Sequence, residues 1–256
     1  MIDRICTIAA NTVREAIRNR LLYVLLFFAI LLIASSVLLS TLSYVESDRI
    51  LQDIGLAAIR LFGVAIAIFV GVNLIHKEVD RRTIQTILSK PLSRSEFLIG
   101  KYLGLVATIW LQMGIMIAFF VLVSLSSGAP LGAGHAMAFT LTGFELALMV
   151  AVATFFSAFT TPFLASFLSC GIWALGHLTR ELRDLGARSP LESVQASTAF
   201  LFRVLPDLES FNLSLEATHG LSVAASDFWL PLAYGAGYVV IILWCAVQIF
   251  ERRDFR

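Results

Sequence analysis

Six long apolar stretches determine what this chain can fold into. They cover residues 21–41, 54–75, 102–125, 137–159, 163–178 and 229–250. A helix that crosses the roughly 30 Å hydrocarbon core of a bilayer needs about 20 predominantly apolar residues, and these stretches have that length within its normal scatter. Charged residues make up only 14% of the chain, whereas soluble proteins average about 25%. The sequence therefore predicts an all-α integral membrane protein with six transmembrane helices, forming a single domain over residues 1–256.

The distribution of Lys and Arg predicts the orientation of these helices, because cytoplasmic flanks collect basic residues. With the N-terminus inside, the outer flanks hold only Arg49, Arg180, Arg183, Arg188 and Arg203. The inner flanks then hold the larger basic set: Arg4, Arg14, Arg18, Arg20, Lys77, Arg81, Arg82, Lys90, Arg94, Lys101, Arg252, Arg253 and Arg256. We expect both termini in the cytoplasm and the connection 180–227 outside.

Composition and residue spacing give no sign of a catalytic, cofactor-binding or metal-binding site in this chain. Cys6, Cys170 and Cys245 have no CxxC spacing, so neither a disulfide framework nor a zinc site is predicted. A formal net charge of +1 gives no indication of nucleic-acid binding. We expect no catalytic, cofactor-binding or metal-binding residues here.

Residues 1–20 form a basic amphipathic pattern. Apolar residues from Ile2 to Ile17 share one helical face, and Arg4, Arg14 and Arg18 occupy the other. Such a helix lies in the headgroup plane before the chain enters the bilayer. It serves either as a positively charged anchor that sets the topology or as a grip for a partner, and both roles are compatible.

The segment 77–100 lies between the second and third apolar stretches and carries the densest local pattern. A short helix is predicted over 77–90, parallel to the membrane surface, and Pro91 ends it because proline disfavours helical geometry in the residue before it. Ser93 and Glu96 then fit a capping box, with Leu92 and Phe97 as its hydrophobic staple. We expect a cytoplasmic helix that couples a soluble partner to two spans; the alternative is a solvated loop.

Several of these residues resemble a family pattern. Glu78, Arg82-Thr83-Ile84, the run 88–94 and Gly100-Lys101 resemble ABC transporter permeases of the type-two, exporter-like class. The run 205–213 resembles a segment in the branch that includes permeases of nitrous oxide reductase maturation and of gliding motility. The likeness covers nearly the whole chain, but no Met, Cys or His cluster suggests a metal cargo.

The resemblance implies one permease domain in a bacterial or archaeal cytoplasmic (inner) membrane. Such a domain catalyses no reaction itself and moves a substrate outward. It implies a second permease subunit, in a homo- or heterodimer, and separate ATP-binding subunits that hold ATP and Mg²⁺. Gly100-Lys101 is not a phosphate loop, since the first glycine of that motif is missing. The ATPase would contact residues of the coupling segment: Glu78, Arg81, Arg82, Thr83, Ile87, Leu88, Pro91 and Arg94.

Two ionisable residues fall within predicted spans at similar depth. Arg60 in the second span and Glu145 in the fourth would each be costly in lipid without a partner. We predict an intramembrane ion pair that sets helix packing or lines a substrate path. The alternatives are that Arg60 snorkels to the outer headgroups and that Glu145 is protonated or faces a cavity.

The connection 180–227 is expected to form one or two helices at the outer interface, broken at Pro206. It would gate a substrate, dock a periplasmic or extracellular component, or simply cap the bundle. His177 and His219 are interpreted as interfacial polar residues. Two other function classes stay open: a membrane scaffold of another complex, and a membrane-embedded enzyme, which would need paired polar residues at matching depth.

Overall fold

A computed structural model describes residues 2–41, 46–80, 93–189 and 191–252, including side chains except those of 77–80 and 252. These residues form ten α-helices, a short 3-10 helix at Glu209–Phe211, and no strand. The helices are α1 (Ile2–Ile17), α2 (Arg20–Ser40), α3 (Ser47–Asp80), α4 (Arg94–Ser126), α5 (Ala133–Ser157), α6 (Pro162–His177), α7 (Thr179–Ala187), α8 (Glu192–Val204), α9 (Ser214–His219) and α10 (Ala225–Arg252).

Five of these helices are long and apolar enough to cross a membrane. They are α2, the Ser47–His76 part of α3, α4, α5, and the Ala225–Glu251 part of α10. The fifth predicted span corresponds to α6, whose 16 residues extend only about 24 Å. α6 continues into α7 after a bend of 59°, and the two count as a sixth span if taken together. The all-α membrane architecture is confirmed.

The buried fraction of each span distinguishes the central helices of the bundle from the peripheral ones. In the most apolar stretch of α5, 67% of the residues are buried, against 22% in α2 and 17% in α10. α3 and α5 pack against each other at the centre, and Gly63 of α3 allows the approach, since a Cβ there would lie 2.8 Å from the Leu146 side chain. α2 and α10 lie at the periphery and expose large apolar side chains such as Phe27 and Trp244.

The two ends of the bundle differ in construction. One end of the bundle holds α1, the last turns of α3, the start of α4 and the turn between α5 and α6. We call this end the α1 side and the opposite end the far side.

Thr161 precedes the first residue of α6, Pro162, where proline's missing N–H costs no hydrogen bond. Only four residues separate α5 from α6, so the two helices form a tight hairpin.

Candidate functional site

The coupling segment begins differently from its prediction. α3 runs without a break through Asp80, so Lys77 to Asp80 continue the second span instead of starting a surface helix. Lys77 and Glu78 are good helix formers and no proline or glycine intervenes, so charge alone did not end the helix. The side chain of Glu78 is not described. The remaining predicted contact residues, Arg81, Arg82, Thr83, Ile87, Leu88 and Pro91, and the staple residue Leu92 lie outside the described residues.

Arg94 and its neighbours fix the point where the coupling segment enters α4. Ser93 Oγ accepts a hydrogen bond from the Glu96 amide, and the Ser93 amide donates to Glu96 Oε2, both at 3.2 Å. The predicted capping box is thereby confirmed. Arg94 Nη1 also donates to the carbonyl oxygen of Glu251 at 2.9 Å, and the Phe97 ring stacks on Phe250. The start of α4 is therefore attached to the end of α10.

α1 packs tightly against the first turns of α4. A Cβ on Gly100 would lie 2.8 Å from the Ile8 side chain, and one on Gly104 would lie 2.6 Å from the Ala9 carbonyl oxygen. Between these glycines, Lys101 Nζ lies 3.3 Å from Glu15 Oε2, with Lys101 only 3% exposed. In the sequence, Gly100-Lys101 was used only for the family resemblance and was excluded as a phosphate loop. The GxxxG spacing from 100 to 104, typical of close helix packing in membranes, was the available signal.

A buried polar cluster occupies the far side. Arg60 Nε of α3 donates to Glu145 Oε2 of α5 at 2.8 Å, so the structure brings the two predicted residues into contact. Glu145 is fully buried and the Arg60 side chain is 13% exposed. Arg60 Nη2 donates as well to the Leu208 carbonyl oxygen at 3.3 Å. A charged pair at this burial is stable only because each charge has several polar partners.

α6 adds two residues that sequence reasoning did not place in this cluster. Trp173 Nε1 donates to Glu145 Oε1 at 3.3 Å. His177 Nε2 lies 3.2 Å from the same Glu145 oxygen, and its Nδ1 lies 3.5 Å from Glu209 Oε2. His177 is therefore not only an interfacial polar residue, as the sequence suggested, but a member of this cluster. Its spacing of four from Trp173 puts both on one face of α6 and was the only signal in the sequence.

The run 205–213 of the outer connection closes over this cluster. The Leu208 amide donates to the Gly176 carbonyl oxygen at 3.0 Å, and its side chain is fully buried. Arg180 Nε donates to Asp207 Oδ2 at 3.0 Å, and the Asp207 amide donates to the Tyr234 hydroxyl oxygen. This run thus joins α3, α6, α7 and α10, as a packed cover over their far-side ends.

Comparison with known families decides the identity of this architecture. The family model described as ABC-2 family transporter protein matches residues 6–255. The chain belongs to the ABC-2 transporter family. It is a membrane-embedded permease of that family, with the helical spans expected of one. No curated protein matches the chain.

In this ABC-2 permease a single helix connects the two ends described above. Arg60 and Asp80 both lie in α3, and their separation of 20 positions corresponds to about 30 Å of helix. Among the described residues, no three His, Cys, Asp or Glu side chains form a group that could hold a metal ion. The geometry is suited to transmitting a displacement, because a packed helix moves as a unit.

Proposed function

We propose that this chain is the permease subunit of an ATP-driven exporter in a bacterial or archaeal cytoplasmic membrane. It works as a homo- or heterodimer with a second permease subunit, and two separate ATP-binding subunits hold ATP and Mg²⁺. Its α1 side faces the cytoplasm, in agreement with the excess of Lys and Arg on that side. We also assign it to the branch of the nitrous oxide reductase maturation and gliding motility permeases. This assignment is based only on the sequence resemblance of the run 205–213.

The observation that supports this proposal most is the unbroken α3. In the sequence, residues 81–92 connect Asp80 of α3 to the capped Ser93-Arg94 turn at the start of α4. A partner that displaces this segment would therefore push on two spans at once. Glu78, Arg81, Arg82, Thr83, Ile87, Leu88, Pro91 and Arg94 are the residues we propose to meet or position the ATPase.

At the far side, the same displacement would act on the Arg60–Glu145 pair. A movement of α3 relative to α5 lengthens the 2.8 Å contact and pulls Arg60 away from the Leu208 carbonyl. We propose that the cluster and the run 205–213 form the outer closure of the transport path. ATP binding then shifts the population from the closed to an open arrangement.

Co-purification tests the coupling assignment. The chain is co-expressed with a candidate ABC ATPase from the same genome, and both the retained ATPase and its hydrolysis rate are measured in lipid nanodiscs. Arg81→Glu with Arg82→Glu should release the ATPase, because both charges on the proposed contact surface are inverted. Arg188→Glu with Arg203→Glu makes the same charge change in the outer connection and should leave binding intact. Equal binding in both variants would refute the coupling role.

The closure is tested separately. Arg60→Met should leave ATPase binding unchanged and alter substrate-stimulated hydrolysis or transport, because Arg60 lies about 30 Å along α3 from Asp80. Release of the ATPase by Arg60→Met would argue against a purely far-side role.

A further inference from the structure

A large cavity opens on the α1 side. Its volume is about 990 Å³, which lies at the upper end of the range for small-molecule sites. Residues from α1, the start of α2, the last third of α3 and the start of α6 line it. We propose that this cavity binds the phosphate-bearing headgroup of an anionic phospholipid from the leaflet on the α1 side. None of its lining residues belongs to the coupling segment 77–100 or to the far-side cluster.

The charge of the lining favours an anion. Arg14, Arg18 and Arg20 line the cavity, and none of them has an ion-pair partner among the residues that the structure describes. Glu15 is the single acidic side chain in the lining, and it is paired with buried Lys101. Three guanidinium groups therefore face one cavity without internal neutralisation. Arginine forms bidentate hydrogen bonds with phosphate oxygens, which suits such a headgroup.

Two helix N-termini add to the positive electrostatic potential in the cavity. α2 begins at Arg20 and α6 at Pro162, and both residues line the cavity. The free N–H groups of a helix's first turn carry a partial positive charge that stabilises a nearby anion. Asn19 caps the Leu21 amide of α2, which leaves later amides of that first turn without a side-chain cap. The cavity thus combines full charges with oriented dipoles.

An apolar track for acyl chains begins at the same place. Leu21 lines the cavity, and Val24, Phe28 and Leu31 follow it at helical spacing on α2, each about half exposed. Phe163, the residue after Pro162, is 81% exposed. A basic cavity that continues into exposed apolar helix surface matches an amphiphile better than a free phosphate ion, because both parts of a lipid would be satisfied together.

Native mass spectrometry of the delipidated full chain tests this proposal. Dioleoyl phosphatidylglycerol and dioleoyl phosphatidylcholine are titrated separately, and the bound fractions give the affinities. We expect at least about tenfold preference for phosphatidylglycerol. Arg14→Gln with Arg18→Gln should lower its affinity about 25-fold, about fivefold for each arginine removed near a membrane surface. Arg188→Gln with Arg203→Gln removes equal charge from the far side and should change the affinity less than twofold.

Two outcomes would overturn the assignment. One is equal affinity of the unaltered chain for the two lipids, a result that needs no variant to fold. The other is full competition by inorganic pyrophosphate at concentrations equal to those of the lipid, which would identify a site for a free phosphate compound. Thermal melting of both double variants in phosphatidylcholine alone verifies that they fold equally well.

Discussion

The contact between Arg60 and Glu145 allows a quantitative test by a double-mutant cycle. Arg60→Met leaves a fully buried carboxylate with only Trp173 and His177 beside it. Glu145→Gln keeps an acceptor for the Trp173 N–H but leaves the Arg60 guanidinium with one carbonyl partner. Removing one member of a buried pair costs about 3–5 kcal/mol, whereas replacing both members is often close to neutral.

The double variant Arg60→Met/Glu145→Gln should therefore be more stable than either single variant. We expect a coupling energy of at least about 3 kcal/mol, the cost of one single variant, which reaches or exceeds the upper end of the range for residues in contact. The assay is equilibrium unfolding of the full chain by sodium dodecyl sulfate in mixed micelles, followed by far-ultraviolet circular dichroism. The midpoint and slope together give the free energy of unfolding.

A second ion pair of the same side supplies the matched control. Arg180 Nη2 and Asp207 Oδ2 are 3.0 Å apart, close to the 2.8 Å of the Arg60–Glu145 pair, but their side chains are 56% and 24% exposed. The corresponding cycle, Arg180→Met and Asp207→Asn, should give a coupling below about 1 kcal/mol because solvent screens the pair. If the Arg60 and Glu145 substitutions are additive within about 0.5 kcal/mol, the inferred energetic link between α3 and α5 is wrong.

Three further substitutions test the packing. Gly104→Leu should destabilise the chain by about 1–3 kcal/mol through its clash with α1, whereas Gly114→Leu, whose Cβ would meet no atom within 4 Å, should be tolerated in the same unfolding assay. Ser93→Ala should cost about 1 kcal/mol and speed hydrogen exchange in the first turn of α4, with Ser93→Thr close to the unaltered chain. Gly176→Leu should displace the run 205–213, because a Cβ at 176 already lies 2.7 Å from Leu208; unchanged proteolysis of that run would contradict this.

Local and periodic features of the sequence were sufficient for much of the fold. Apolar length alone located the spans, and the Ser93–Glu96 capping box depends on residues three apart. Arg60 and Glu145 could be matched because a bilayer gives both residues a common depth scale, which soluble proteins lack. The role of the pair in transport stays a proposal.

The remaining features depend on how distant segments return to one another. His177 is the last residue of α6, and it lies beside Glu145 just before the chain bends by 59° into α7. Its second neighbour, Glu209, arrives from a run more than 30 residues later, and no local pattern encodes that return. The start of the surface helix was misplaced for a different reason: charge marks where a helix leaves lipid but does not by itself end the helix, and α3 continues through Asp80.

The unbroken α3 also constrains how such a permease can change in length. Each residue of an α-helix adds 1.5 Å of rise and about 100° of rotation. One residue inserted between Arg60 and Asp80 would therefore turn the exit of the chain by more than a quarter circle relative to the far-side pair. A loop absorbs an insertion of any size, but this helix has an angular phase. The number of residues in α3 is therefore as important for the relative orientation of its two ends as any of its side chains.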